Sequence, residues 1–313
     1  MPLMTNQRVL AEGADSLIVG SHVEWMKRAG YHVVLMDISN DATGKYLVDD
    51  FEVVPKYGSP GLEDQLWEIV ERHGITMVIP SVDEGLLFWA SIRKAWAEKN
   101  VHVLVSPPDI IDICSDKLKT HKFLTKHGFP SPKTKTYWSL GTPLKKPRKG
   151  RGSQGVEYFP DEPSESKQND DVIWQELLTG PEYTVDVLCT APGQVHYCVI
   201  RERLMTKVGL STKGRVVEHP EIERTARNVA KKAEFFGPIN IQFIEAGYDQ
   251  DKEKRFAITD INPRISGGQA LTLDATENWF DLYPRIFAGE VLNPRPVTIG
   301  RAMSRCFKNI FHE

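Results

Sequence analysis

The chain has 313 residues, 41% hydrophobic and 26% charged, with 39 basic against 42 acidic side chains and a formal net charge of −3. That balance is ordinary for a globular protein and excludes a strongly basic nucleic-acid binder or a polybasic membrane-surface protein. Four scattered cysteines (Cys114, Cys189, Cys198, Cys306) form no Cys-x-x-Cys, and no apolar run approaches membrane-spanning length. The expectation is therefore a cytoplasmic protein with reduced thiols and neither nucleic acid nor membrane among its partners.

The first stretch alternates strand and helix. Arg8–Ala11 reads as a strand, Leu17–Ala29 as a helix and His32–Met36 as a second strand. Leu62, Leu66, Ile69 and Val70 make a helical stripe that Gly74 stops. Met77–Pro80 is a short strand, Glu84–Glu98 a helix and Val101–Val105 another strand. Such alternation predicts a parallel sheet with right-handed crossovers, ending near Ser115. Between the first strand and helix, Glu12-Gly13-Ala14-Asp15-Ser16 has one glycine where a dinucleotide fingerprint needs three, which argues against a dehydrogenase. Asp83 and Glu84 follow Pro80 at a strand's C-terminal end, where open parallel sheets often bind small molecules.

Asp116–Gly128 is a predicted helix with Ser115 as its N-cap. Lys133–Tyr137 and Pro143–Lys146 read as strands. Gly150, Gly152 and Gly155 then punctuate a turn before the strand Val156–Phe159, and Pro160–Asp171 is a polar loop. From Val172 the pattern is strand-rich: Val172–Glu176, Tyr183–Leu188, Val195–Arg201, Ile239–Ile244 and Phe256–Ile261, with a helix over Pro220–Phe235. Two helices, Gln269–Ala275 and Trp279–Phe287, close the pattern. An α/β opening followed by α+β predicts at least two architectures in one chain.

Four features carry chemistry. Asp260 and Asn262 sit two apart on a strand, so both side chains leave one face, as a hard cation held against phosphates requires. Pro263 biases Asn262 to an extended backbone, and Arg264 adds a permanent planar cation one step on. An ordinary strand exit with a solvated Asp is the alternative. Upstream, Lys146 leads into Gly150-Arg151-Gly152-Ser153-Gln154-Gly155, a turn whose backbone N–H groups could cradle anions. The alternative there is a flexible basic hairpin tip. Lys117 offers a second cation. Trp174-Gln175-Glu176-Leu177-Leu178 followed by Gly180-Pro181-Glu182-Tyr183 reads as a strand leaving the core into a hinge able to border a base, with Glu182 for ribose hydroxyls, against a plain buried strand with exposed acids. Gln242, flanked by apolar residues, needs a partner; sharing a metal with Asp260 would supply one, and a side-chain hydrogen bond to backbone is the alternative. Arg201, Arg203, Lys207, Lys213 and Arg215 form a basic segment around Gly209 and Gly214; Arg201 or Arg203 is a candidate for holding an anionic substrate, against a solvated charge run. Ser266, Gly267 and Gly268 would let a substrate approach the backbone after Arg264.

In this order, Asp116-Lys117, Lys146-Pro147 with its glycine turn, Gln175-Glu176 with Gly180-Pro181-Glu182-Tyr183, Asn240-Ile241-Gln242 and Asp260-Ile261-Asn262-Pro263-Arg264 resemble the ATP-grasp superfamily. The similarity is to short single-unit proteins like the carbamoyl-phosphate synthase large chain. It implies a pre-ATP-grasp parallel-sheet domain (residues 1–115), a linker helix and small lid (116–178) and a C-terminal α+β domain (179–313), with a shortened lid. It further implies that Lys117, Lys146, Gly152, Ser153 and Gly155 contact phosphates, that Gln175, Glu176 and Leu177 border adenine, and that Glu182 takes the ribose. Gln242, Asp260 and Asn262 would hold Mg2+, with Mn2+ as the alternative ion. Arg264, Asn262 and Lys146 would act in catalysis, and Arg201, Arg203, Ser266 and Gly267 on the substrate side. The family's usual Glu at the strand metal position is Asp260 here.

The implied activity is ATP-dependent carboxylate–amine ligation through an acyl phosphate. Positioning and charge neutralisation carry phosphoryl transfer, so no covalent enzyme intermediate and no essential Cys or His is expected. Bicarbonate chemistry of the carbamoyl-phosphate type and a non-catalytic ATP-binding protein are the alternatives, and a homodimer is an open option.

Overall fold

The structure is a computed structural model that describes residues 7–150, 154–161, 169–207, 209–248 and 254–312. It divides into two compact units: residues 1–108 with 276–295 and 306–313, and residues 109–275 with 296–305.

The first unit is built on a five-stranded sheet. Its strands β1 (Arg8–Glu12), β2 (His32–Asp37), β3 (Asp50–Val53), β4 (Met77–Ile79) and β5 (His102–Val103) lie in the order β3-β2-β1-β4-β5. Every pairing is parallel. Helices α1 (Val19–Arg28), α2 (Leu62–His73) and α3 (Leu86–Glu98) provide crossovers, as the alternating pattern predicts. β1 reads as a nearly continuous apolar run because both its faces are covered, and Val9 and Leu10 are fully buried. The helix stripe read from Leu62, Leu66, Ile69 and Val70 is indeed the buried face of α2, which ends on Gly74 in the left-handed region. β3 breaks the apolar pattern with Asp50 and Glu52, both held by histidines: His32 pairs with Asp50, and His73 Nε2 lies 2.6 Å from Glu52 Oε1.

The second unit begins with two helices, α4 (Pro108–Cys114) and α5 (Lys117–Lys126). The N-cap of α5 is Asp116 rather than Ser115, its carboxylate accepting from the Leu118 and Lys119 backbone N–H groups. A small sheet follows, β6 (Thr134–Lys135), β7 (Leu144–Pro147), β8 (Glu157–Tyr158) and β9 (Val172–Gln175), ordered β6-β9-β7-β8. The large sheet is antiparallel, ordered β14-β13-β10-β11-β12-β15. Its strands are β10 (Glu182–Ala191), β11 (Gln194–Lys207), β12 (Leu210–Val216), β13 (Gly237–Tyr248), β14 (Lys254–Asn262) and β15 (Ala302–Ser304). Helix α6 (Pro220–Lys232) covers one face with Ile222, Ala226, Val229 and Ala230 against Val185, Val187, Ile200, Ile239, Ile241 and Phe243.

Helix α7 (Gln269–Ala275) stays with the second unit, and α8 (Trp279–Phe287) returns to the first. There the Tyr31 hydroxyl donates to the Phe280 carbonyl at 3.0 Å, Asn278 Nδ2 donates to the Trp25 carbonyl, and Phe287 stacks on His102. No helix among the described residues is long and apolar enough to cross a membrane.

Candidate functional site

Strand alternation gives the large sheet two faces of opposite character. Odd-numbered positions of β10 and β13 feed the core under α6, so Glu182, Thr184 and Asp186 on β10 and Asn240 and Gln242 on β13 share the other face. On β14 the core residues are Phe256, Ile258 and Ile261, an interval that plain alternation forbids. The register resolves it: Phe243 pairs with Ile258 and Gln242 with Asp260, so Thr259 is an extra residue, a β-bulge. The bulge shifts the strand's phase by one and turns Asp260 and Asn262 onto the polar face. Without it Asp260 would share the face of Phe256 and Ile258.

On that face Asp260 stands opposite Gln242 and Asn262 opposite Asn240. Asn262 Nδ2 donates to Asp260 Oδ2 and to Asn240 Oδ1, each at 3.3 Å. Asn240 Nδ2 donates in turn to the Asn262 and Arg264 carbonyls, which fixes the exit of β14. The donor set for a cation is one carboxylate and two amide oxygens, and no group of three or more His, Cys, Asp or Glu able to hold a metal occurs among the described residues. These ligands are oxygen-only, which fits Mg2+, and too few to cage it alone, which fits an ion that arrives with phosphate oxygens.

Lys146 sits on β7, its Nζ donating to Gln175 Oε1 at 2.7 Å while Gln175 Nε2 donates to Thr134 Oγ1 at 3.0 Å. Burial pulls the Lys146 ammonium below the usual lysine range; Asp260 and Glu182 oppose that shift and Lys117 adds to it. One lysine of the small sheet thus feels two acids of the large sheet and the lysine that opens α5. A narrow cleft lined by Lys117, Gln175, Thr259 and Asp260 lies among them.

The turn after β7 is anchored at its base. Arg148 pairs with Asp116, the N-cap of α5, and donates to the Asp170 carbonyl. Burial works against the charged Asp116 carboxylate, yet Arg148 and two backbone N–H groups hold it below the ordinary carboxylate range. Lys117 N donates to the Arg148 carbonyl and Lys117 Nζ to the Gly150 carbonyl, at 2.9 and 2.8 Å. Gly150 has φ +121, open to glycine alone. Gly155 has φ +67 against Pro147. Gly152 and Ser153 lie outside the described residues.

The hinge between β9 and β10 spans residues 176–181. Glu176 is tied to β6, its N–H donating to the Lys133 carbonyl and its carboxylate accepting from Lys133 N. Leu177 is 41% exposed. Gly180 passes so close to Glu245 that a Cβ would lie 2.4 Å from its carbonyl oxygen. The hinge therefore crosses β13 at one required position.

The two arginines read as substrate candidates take different places. Arg201 is a correction: it is 2% exposed and gives both fork nitrogens to Asp186, at 2.8 and 2.9 Å, with Nη2 also on Ser266 Oγ at 3.0 Å. It organises the turn after Arg264 from inside. Arg203 pairs with Glu182. Ser266 and Gly267 are in that turn, and Arg264 Nη1 donates to the Ile265 carbonyl. Arg305, absent from the sequence reading, reaches the same turn: its Nη2 donates to the Gly267 carbonyl at 2.7 Å, while its Nη1 is buried without a hydrogen-bond partner among the described residues. Gln269 Oε1, two residues on, is likewise buried and unpartnered. Only the fold brings Arg305 to this turn, through the pairing of β15 with β12.

In the first unit, Asp83 and Glu84 begin the turn into α3, but the crevice between the ends of β1 and β4 is occupied by Glu12, whose carboxylate accepts from Ser81 N and Val82 N.

Residues 114–268 match the ATP-grasp domain family and residues 19–104 the PylC-like N-terminal domain. Among curated proteins, the carbamoyl phosphate synthase large chain of Clostridium botulinum (strain Loch Maree / Type A3) is 23% identical over 337 residues, covering 94% of this chain and 30% of the relative. The chain thus spans under a third of that protein's length. The carbamoyl-phosphate synthase of Methanobrevibacter smithii is 22% identical over 272 residues, covering 79% of this chain and 72% of the relative. Among solved structures, the N5-carboxyaminoimidazole synthetase of Staphylococcus aureus superposes with a TM-score of 0.70 at 16% identity, covering 93% of this chain and 80% of the other. The biotin carboxylase domain of the Hydrogenobacter thermophilus 2-oxoglutarate carboxylase, solved with MgADP, ADP and bicarbonate, gives 0.68 at 16% identity, covering 94% and 72%. At that identity the structural likeness shows the fold.

Proposed function

We propose that this chain, an ATP-grasp protein with a PylC-like N-terminal domain, is an ATP-dependent carboxylate–amine ligase that forms an amide or peptide-like bond and releases ADP and phosphate. One observation carries it: Lys117, Glu182 and Asp260, from three separate elements, each act electrostatically on Lys146, and Lys117 and Asp260 line one cleft with Gln175, the hydrogen-bond partner of Lys146. Two cations and a cation-binding carboxylate in one place suit a polyphosphate.

Each residue then has a task. Lys146, held by Gln175, and Lys117, at the start of α5, neutralise phosphate oxygens. Gly155 belongs to the turn that would close over them. Gln175, Glu176 and Leu177 border the base at the hinge, and Glu182 accepts from the ribose. Gln242, Asp260 and Asn262 would hold Mg2+, which when bound screens the phosphate charge during transfer. Arg264, just past Asn262, steadies the transferred group, and the turn of Ser266 and Gly267, with Arg305 behind it, presents backbone to the carboxylate substrate. No side-chain nucleophile is required, and Cys114, the cysteine whose titration Asp260 influences, is pushed up by burial and so kept as an inert thiol.

ADP release with paired panels of carboxylates and amines tests this. Release that requires one member of each panel, with Mg2+, supports ligation; nucleotide binding with no release under any pair removes it. The curated relatives favour a second possibility, phosphorylation of bicarbonate, which bicarbonate-dependent ADP release without any amine acceptor would select.

A further inference from the structure

Arg203, like Arg201 two residues before it, makes three hydrogen bonds through its fork. One fork nitrogen pairs with Glu182 Oε1, Nε donates to Ser211 Oγ at 3.1 Å, and Nη2 donates to the Gly209 carbonyl at 2.8 Å. It lies on β11, across from β10 where Glu182 begins the strand, and it spans to the far end of the β11–β12 hairpin. Its side chain is 7% exposed against 31% for Glu182, so the cation is inside and the carboxylate looks out. Burial, with Arg201 nearby, lowers the Arg203 pKa, and Glu182 offsets part of that shift.

We infer that Arg203 is a positioning residue that fixes the Glu182 carboxylate for recognition of vicinal ribose hydroxyls, and so makes the site discriminate ribonucleotides from nucleotides lacking them. The inference rests on the nucleotide assignment proposed above and adds the residue that sets its sugar specificity. A carboxylate has two acceptor oxygens. Arg203 takes Oε1 and, being a rigid fork bonded at two further points, sets the plane of the carboxylate. Oε2 is then the oxygen left to accept from the sugar.

Arg203 has a second consequence. Glu182 already acts on the titration of Lys146, so an untethered Glu182 is drawn toward that ammonium. Such a swing would withdraw the ribose acceptor and neutralise a phosphate-binding cation together. Arg203 prevents both, and it does so from a hairpin backbone that touches neither the sugar nor the phosphates.

Calorimetric titration of the full chain with Mg2+ and ADP, 2′,3′-dideoxy-ADP or tripolyphosphate tests this. Wild type is expected to prefer ADP over the dideoxy analogue by about tenfold or more, the range of hydrogen bonds to a charged acceptor. Arg203→Ala is expected to reduce that preference to within about twofold while retaining tripolyphosphate binding. Should Arg203→Ala fail to fold, Arg203→Lys keeps the charge opposite Glu182 but gives up the fork to Gly209 and Ser211, and is expected to retain an intermediate preference. An unchanged preference in the folded variants overturns the inference. So does wild-type binding of ADP with no preference over the analogue, which leaves the ligase proposal standing. Absence of ADP binding to wild type removes both.

Discussion

Glu12 in the first unit and Asp260 in the second are carboxylates at the ends of strands, and they differ in what the protein itself gives them. Glu12 is 6% exposed and accepts from Trp89 Nε1, Ser81 N and Val82 N at 2.6, 2.7 and 2.9 Å, and also from the Tyr57 hydroxyl. Among the described residues Asp260 accepts one hydrogen bond, from Asn262 at 3.3 Å; it acts on the Lys146 ammonium and lines a cleft with Lys117. A carboxylate saturated by internal donors is part of the framework. One left under-donated beside cations is poised for a ligand. The parallel sheet fills its crevice with Glu12; on the antiparallel sheet Gln242, Asp260 and Asn262 stay partly exposed.

The extra residue at the bulge gives one way to sharpen this contrast. Deleting Thr259 leaves Ile258, Asp260 and Ile261 in plain alternation, with Asp260 still opposite Gln242. The deletion is expected to keep the fold and Mg2+-dependent ADP release, read from denaturant unfolding and an ADP assay. A deletion variant that fails to fold, or folds without that release, would show that Thr259 is more than an extra residue.

Asp260→Ala leaves the phase intact and removes only the ligand oxygen. Mg2+-dependent ADP release is expected to fall by about a hundredfold or more, the scale of losing an electrostatic contact in the transition state. Thermal unfolding should be unchanged, because its single hydrogen bond is long. Unaltered release would take Asp260 out of the site. Lys146→Ala is expected to weaken MgADP binding by about tenfold or more, as loss of a charge-assisted bond to phosphate does. Because burial lowers the Lys146 pKa, ADP affinity should also fall on the alkaline side before the ordinary lysine range is reached, with proton uptake on binding. Affinity independent of pH there would count against Lys146.

Much of this was legible before any coordinates. The apolar stripes gave α2 and the alternating βα order because they report burial directly. Asp260 and Asn262 announced themselves as a same-face pair, yet nothing local announces that Thr259 is an extra residue, since bulges are set by the partner strand's register. Strand β12 hid within a basic segment because, lying between β11 and the short β15, it exposes Lys213 and Arg215 while burying Thr212, Gly214 and Val216 between and beside them. Arg201 looked like a surface cation; its burial depends on Asp186, fifteen residues away across a hairpin. Arg305 is placed by a strand pairing no sequence window contains.

The smallest expected loss lies in the first unit and touches no chemistry. Burial pushes the Glu12 pKa up to about 7 from a usual 4.5, while Trp89, Ser81 and Val82 oppose the shift. The folded chain therefore holds a proton that the unfolded chain releases between those values. Stability from this group is fully present below about 4.5 and is lost as pH rises through about 7. A full shift of that size corresponds to about 3 kcal/mol. Glu12→Gln cannot titrate, so its unfolding free energy should lack that decline, whatever its absolute stability. Nucleotide affinity per folded molecule should be unaffected, since every residue assigned to the nucleotide above belongs to the second unit and Glu12 to the first. An identical pH slope in wild type and variant would mean that the four donors keep Glu12 ionised throughout, which would make the filled crevice of the first unit an even firmer contrast to the partly exposed polar residues of the second.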